Sequence, residues 1–305
     1  MKMIFIAAVA ISAMASTMAA AADMPTIAEL LKPAPNPAWN AFGVKGYATT
    51  EIAPGLFTFA NAGVRNIFMV TDEGVIASDP VDAEFAKEMR AAIRKVTDRP
   101  VKYVVYSHYH WDHVRGGQIF KDEGATFISH ENCARHFKEV PRPDIVMPDI
   151  TFAKDYTVKL GGRSLELIYL GPNHSDCLVF MRPDSDNGKY LFAVDIATPG
   201  GAPLSFMAGY DPYNWVRTLK ELEAMPFTVM IPGHGVAMAD KSSITERRRF
   251  LEALMAAVKK AIDQGMPPAE IPDKVRVPEF AYLRGYDANI RDNVRRMQAF
   301  YGIGE

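Results

Sequence analysis

Short apolar runs broken by turn signals dominate the chain from Ile52 onward, and this pattern predicts strands before helices. The runs LFTFAN and NIFMVT, framed by Pro54-Gly55 and Asp72-Glu73-Gly74, read as hairpins. GVIASDP reads as a short buried strand ending at Asp79. Residues 82–97 set Phe85, Met89 and Ile93 on one helical face. After Pro100, VKYVVYS forms an apolar strand that runs straight into His108, and a helix is expected to begin at Gly116-Gly117. ATFISH is another strand, followed by a helix through Cys133 and His136. Three further strand-like runs are SLELIYL before His174, KYLFAVD ending on Asp195 and FTVMIPGH ending on His234, with a helix around residues 213–225 between the last two.

Helical spacing takes over beyond His234. Ser243-x-x-Glu246 reads as a capping box, and Leu251, Leu254, Met255, Val258 and Ile262 form one stripe of a helix stopping near Gly265. Pro267, Pro268, Pro272 and Pro278 break the stretch 266–286, and residues 287–300 read as helical again. These elements are expected to pack on the strand-rich region. The division that follows is 1–22, 23–47, 48–240 and a helical extension over 241–305.

The first two pieces differ from the rest. After Lys2 the chain is Ala-rich and uncharged until Asp23, and Ala20-Ala21-Ala22 fits a small-residue cleavage site. Residues 1–22 are therefore expected to be a cleaved signal peptide, placing the protein in the periplasm or outside the cell with no stable membrane anchor. The run is just long enough to span a bilayer, but its alanine core makes a weak anchor. Residues 23–47, with Pro25, Pro33, Pro35 and Pro37, are expected to be extended.

Composition changes the picture only by exclusion. A formal net charge of −2 shows no basic excess, so nucleic acid is not an expected partner, and a small-molecule substrate is. Two cysteines, Cys133 and Cys177, cannot make a disulfide scaffold. They could pair in an oxidising compartment, but an extended stretch after His174 turns Cys177 to the opposite face, and buried core cysteines are the expected state. Quaternary state is not legible.

The chemistry lies in the histidines. Five of seven fall in three motifs: His108, His110 and His113 in SHYHWDHVRGG, His174 in GPNHSD and His234 in PGHG. Asp112 lies inside the first motif, and Asp195 follows an apolar run. Imidazoles and carboxylates suit zinc and similar divalent ions. Seven candidate ligands exceed one tetrahedral ion and suffice for two sharing a bridging group. His130 and His136 read as surface or structural. One of Tyr109 and Trp111 is expected to face the substrate and the other the core, while Tyr210, Tyr213 and Trp215 line the mouth or simply pack.

His108-x-His110-x-Asp112-His113, followed by His174, Asp195 and His234, resembles the metallo-β-lactamase superfamily over about residues 48–238. The resemblance implies an αββα sandwich with the site at one edge. It implies that His108, His110 and His174 hold a first zinc ion and Asp112, His113 and His234 a second, with Asp195 bridging; iron or manganese is possible. Asp79 matches a position that supports a metal ligand by hydrogen bonding, or else caps the following helix. The implied activity is a dinuclear zinc hydrolase whose bridging hydroxide attacks a carbonyl in an ester, lactone, thioester or amide, including β-lactams. Asp112 would orient the nucleophile or carry a proton to the leaving group. Asp195 stands where many zinc β-lactamases place cysteine, and DIATPGGAPLSF lacks the lysine that many of them use to bind the drug. A one-iron sulfur dioxygenase and a non-catalytic metal-binding relative are the alternatives.

Overall fold

The computed structural model describes residues 46–61, 63–203 and 211–302. The expected signal peptide, nearly all of the 23–47 segment and Tyr210 lie outside them.

Twelve strands among the described residues form two sheets. The first contains β1 (Tyr47–Ala53), β2 (Leu56–Asn61), β3 (Val64–Val70), β4 (Val75–Ser78), β5 (Val101–Val105), β6 (Thr126–His130) and β7 (Ile150–Phe152), in that spatial order. Its β1–β4 half is antiparallel and its β4–β7 half parallel. The second sheet runs β12 (Val229–Ile231), β11 (Tyr190–Phe192), β10 (Val179–Pro183), β9 (Arg163–Tyr169), β8 (Tyr156–Leu160), antiparallel except for the β11–β12 pair.

Strand alternation explains why the apolar runs carry so few polar positions. On β4, Ile76 faces the second sheet while Val75 and Ala77 face helices. Val104 and Val105 on β5, and Phe127 and Ile128 on β6, divide in the same way. A strand buried on both faces reads as continuously hydrophobic. Three cores result. One lies between the sheets, built on Leu56, Ile67, Val105, Leu167, Val179 and Phe192. Another packs α1 (Ala83–Val96), α3 (Gln118–Asp122) and α4 (Glu131–Glu139) on the first sheet. The third packs α5 (Pro212–Ala224), α6 (Lys241–Asp263), α7 (Ile271–Lys274) and α8 (Tyr286–Phe300) on the second. This is the αββα order of layers.

Some expectations need correction. The Ser243 capping box is not the start of α6: Asp240 is the N-cap, its carboxylate accepting from Ser242 N at 2.8 Å. Both residues offer suitable oxygens, and the helix begins at the earlier one. A one-turn helix, α2 (Trp111–Val114), forms inside the histidine motif itself. β1, β7, β8 and β10 match no run singled out in the sequence. Cys133 and Cys177 are not separate core thiols: they form a disulfide with a Cα–Cα distance of 5.4 Å. The alternation argument assumed an extended strand past His174, but residues 171–178 are a loop between β9 and β10.

Candidate metal centre

All seven candidate residues converge where the carboxyl end of β5 meets the ends of β11 and β12. His108 and His110 follow β5 directly, and the one turn of α2 carries Asp112 and His113. His174 projects from the β9–β10 loop and His234 lies three residues past β12. β11 stops at Phe192, so Asp195 sits beyond the strand, in a turn with φ 57°. Aspartate is among the few residues that adopt this left-handed backbone readily.

Two groups form, with ligand atoms within 4.8 Å of one another: His108, His110, His174 and Asp195, and Asp112, His113, Asp195 and His234. Asp195 belongs to both. Its Oδ2 lies 3.4 Å from His108 Nε2, 3.5 Å from His174 Nε2 and 3.2 Å from His113 Nε2, while Oδ1 lies 3.1 Å from His234 Nε2. His110 Nδ1 approaches His174 Nε2 at 3.0 Å, and the Nε2 atoms of His113 and His234 are 3.2 Å apart.

These separations suit a cation better than a proton. Donor atoms roughly 2.0–2.1 Å from a tetrahedral zinc ion lie about 3.3 Å from one another, the spacing seen in both groups. Ring nitrogens aimed at each other need a proton or a cation between them. His108 Nε2 is buried with no hydrogen-bond partner, a state costing about 1–3 kcal/mol that a bound ion relieves. The residues present fit a pair of divalent ions.

The surroundings orient the rings. His108 Nδ1–H donates to Ser107 Oγ at 2.9 Å, and the Ser107 hydroxyl donates to Asp79 Oδ2 at 2.7 Å. This chain leaves the lone pair of His108 on Nε2, facing the site. Asp79 also lies 3.4 Å from His113 Nδ1. Of the two readings for Asp79, the cap falls instead to Asp82, which accepts from Phe85 N. His234 Nδ1–H donates to the Gly63 carbonyl at 3.1 Å, again turning Nε2 inward. Buried Arg65 donates to the carbonyls of Val236 at 2.7 Å and Pro232 at 3.4 Å, fastening the His234 loop to β3. Gly233 leaves room: a Cβ there would lie 2.9 Å from Val194 Cγ1 and 3.4 Å from both Asp195 Oδ1 and His113 Cε1.

The metal-free electrostatics divide by group. Burial lowers His174 to about 3, and burial with the neighbouring His108 and His174 rings drives His110 well below the usual histidine range. Burial opposes charge on His234 and His113 too, but the carboxylates of Asp195 and Asp112 outweigh it. His234 rises to about 9 and His113 well above its ordinary value. Burial works against the Asp112 and Asp195 carboxylates, yet His113 and His234 hold both below the carboxylate range.

Among the other candidates, Trp111 is 49% exposed beside the ligands, whereas Tyr109 packs inward on His136. Tyr213 is exposed, and Trp215 is buried with its ring 5.4 Å from His174. His130 is structural: its Nδ1 accepts from Asn132 N at the start of α4. The motif reading assigns no role to Ser107, Gly63, Arg65 or Gly233. Ser107 and Gly233 sit directly beside ligands within the motifs, a signal that was available; Arg65 and Gly63 carry none.

Comparison with known proteins agrees with the site. Over 75% of its length the chain is 21% identical to a linear primary-alkylsulfatase of Pseudomonas sp., covering 54% of that protein. It is 25% identical to the alpha subunit of a 2,4-dinitroanisole O-demethylase of Nocardioides sp., covering 77% of this chain and 71% of that one. The chain thus spans about half the length of the alkylsulfatase. Among solved structures, a metallo-beta-lactamase from Pontibacter korlensis superposes with a TM-score of 0.61 at 23% identity, over 68% of this chain and 99% of that one. A stereoselective inverting sec-alkylsulfatase from Pseudomonas sp. superposes with a TM-score of 0.68 at 18% identity, over 84% of this chain and 50% of that one. The family model for the metallo-beta-lactamase superfamily matches residues 61–234, from the end of β2 through the last histidine of the site. That span is more than half of the chain, and the protein belongs to the metallo-beta-lactamase superfamily.

Proposed function

We propose that this protein is an exported hydrolase that holds two divalent metal ions and cleaves an ester, lactone, thioester, sulfate ester or amide bond in a small molecule. The observation that carries this reading is the placement of Asp195, one carboxylate whose two oxygens face four imidazoles from both ligand groups. His108, His110 and His174 would hold one ion, Asp112, His113 and His234 the other, with Asp195 shared. Zinc suits the nitrogen and oxygen donors, as do iron and manganese. Ions held by these residues would supply Lewis-acid polarisation of the bond under attack and lower the pKa of water to near neutral.

The chain's own residues supply the rest. Asp112 would orient the attacking water or carry the proton that water gives up to the leaving group. Trp111 and Val236, exposed and within two residues of a ligand in sequence, would offer apolar surface to the unreactive part of the substrate. Carboxylic esters, lactones, thioesters and β-lactams all suit this donor set, and alkyl sulfates join them. The alkylsulfatase likeness covers 84% of the chain against 68% for the lactamase, which supports assaying sulfate esters first. A one-iron dioxygenase would need only the first group; the completeness of the second favours hydrolysis.

Export is supported by the Ala-rich run, uncharged between Lys2 and Asp23, and by the Cys133–Cys177 disulfide, which persists in oxidising compartments. Elemental analysis joined to a panel of alkyl sulfates, esters, lactones, thioesters and β-lactams tests the activity. Two ions per chain with turnover of one class supports it; one iron with oxygen consumption refutes it. Mass spectrometry of exported protein should find a mature end near Asp23, and retained Met1 would overturn the leader.

A further inference from the structure

Helix α4 grips the loop that carries His174 at several points. The disulfide joins Cys133 on the helix to Cys177, three residues past the ligand. Between them lies Asp176. Its carboxylate accepts from Arg135 at 2.7 Å and from His136 Nε2 at 2.8 Å. Its carbonyl accepts from Asn132 Nδ2 at 2.9 Å and from Tyr169 Oη at 2.8 Å.

The same helix reaches a second ligand. The His136 ring stacks on Tyr109 with centroids 4.0 Å apart, and Tyr109 meets His110 edge-on at 4.9 Å. Tyr109 and Asp176 each neighbour a ligand of the His108, His110, His174 and Asp195 group. None of these contacts involves His113 or His234.

A loop free between two strand ends samples many backbone states, and holding a ligand within about 0.5 Å of its productive place needs a locked support. We propose that Asp176, His136 and the Cys133–Cys177 bond act together as positioning residues for His174, setting the affinity of the ion bound by His108, His110 and His174 without acting on its neighbour. This inference rests on the two-ion reading.

The test uses the full chain loaded with zinc, dialysed against a graded series of chelator concentrations, with bound ions counted by elemental analysis. Wild type is compared with Asp176→Asn, His136→Gln and the Cys133→Ser/Cys177→Ser double variant, each checked by circular dichroism and thermal melting. The expected result is that Asp176→Asn, His136→Gln and the double variant each lose one ion at roughly 10- to 100-fold lower chelator concentration, the second ion leaving as in wild type. A general loss of stability would release both ions together, and that outcome overturns the positioning role. Unchanged retention of both ions overturns it as well. Should the double variant fail to fold, Asp176→Asn, which keeps the disulfide, decides the matter. A wild-type chain holding fewer than two ions overturns the two-ion reading itself.

Discussion

Asp79 grips Ser107 with both carboxylate oxygens, Oδ1 accepting from the backbone N–H and Oδ2 from the hydroxyl, each at 2.7 Å. Ser107 passes that hold to His108, and Asp79 Oδ2 also faces His113. One fully buried carboxylate thus orients a ring in each ligand group. The turn that places it is strained, with φ 25° at Asp79 and 68° at Val81, the latter unusual for a β-branched residue. Ser107→Ala should lower metal affinity roughly 10- to 100-fold with the fold retained, since outer hydrogen bonds fix ligand tautomers. Competition with a chromophoric chelator reads this directly, and an unchanged affinity would remove Ser107 from the relay.

Asp195 has a wider reach. Asp195→Ala withdraws a donor from both groups, and elemental analysis should find both ions diminished and hydrolysis abolished. His110→Ala should also abolish hydrolysis but touch only the first group. Measurable turnover by metal-stripped His110→Ala would contradict the catalytic reading.

Gly233 guards the space between Asp195 and His113. Its substitution by alanine puts a methyl group 2.9 Å from Val194 and against both ligands. Overpacking of this kind costs about 1–3 kcal/mol in a rigid site. Gly233→Ala is expected to lower both melting temperature and metal content, and wild-type values in the two assays would refute the steric role.

The metal-free protein should show a stability profile set by the site. His234 is raised from its ordinary 6.5 to about 9 and His113 also rises, so their contribution is full below pH 6.5 and is lost as pH climbs through 9. Asp112 and Asp195 are depressed from 3.8, so theirs is present above pH 3.8 and is lost as pH falls through their lower folded values. His110 and His174, lowered by burial, work against folding as pH falls below their ordinary 6.5, so thermal melts of chelated protein should peak near pH 6.5. Metal uptake at pH 7 should release protons from His113 and His234, which calorimetry in buffers of different ionisation enthalpy detects. Uptake without proton release would contradict the assignment.

Much of the site was legible because its donors are chemically rare and locally spaced. His108-x-His110-x-Asp112-His113 is a contiguous signal, and His174, Asp195 and His234 each follow an apolar run. The layers were legible for a related reason: Phe85, Met89 and Ile93 repeat at helical spacing, and strands such as VKYVV are apolar throughout. Short elements were harder. β7 has three residues, too few for a period to emerge, and α2 is a single turn held within a loop.

The sequence by itself determined which side chains carry the chemistry, in what order, and on elements of which period, because residue type and spacing are local properties. Tertiary structure decided the partnerships. Cys133 meets Cys177 across 44 residues, Arg65 and Gly63 hold the His234 loop from 171 positions away, and Asp79 reaches Ser107 across 28. Such pairs form only when strands and layers distant in sequence come together, and no short-range pattern records where the far partner will lie.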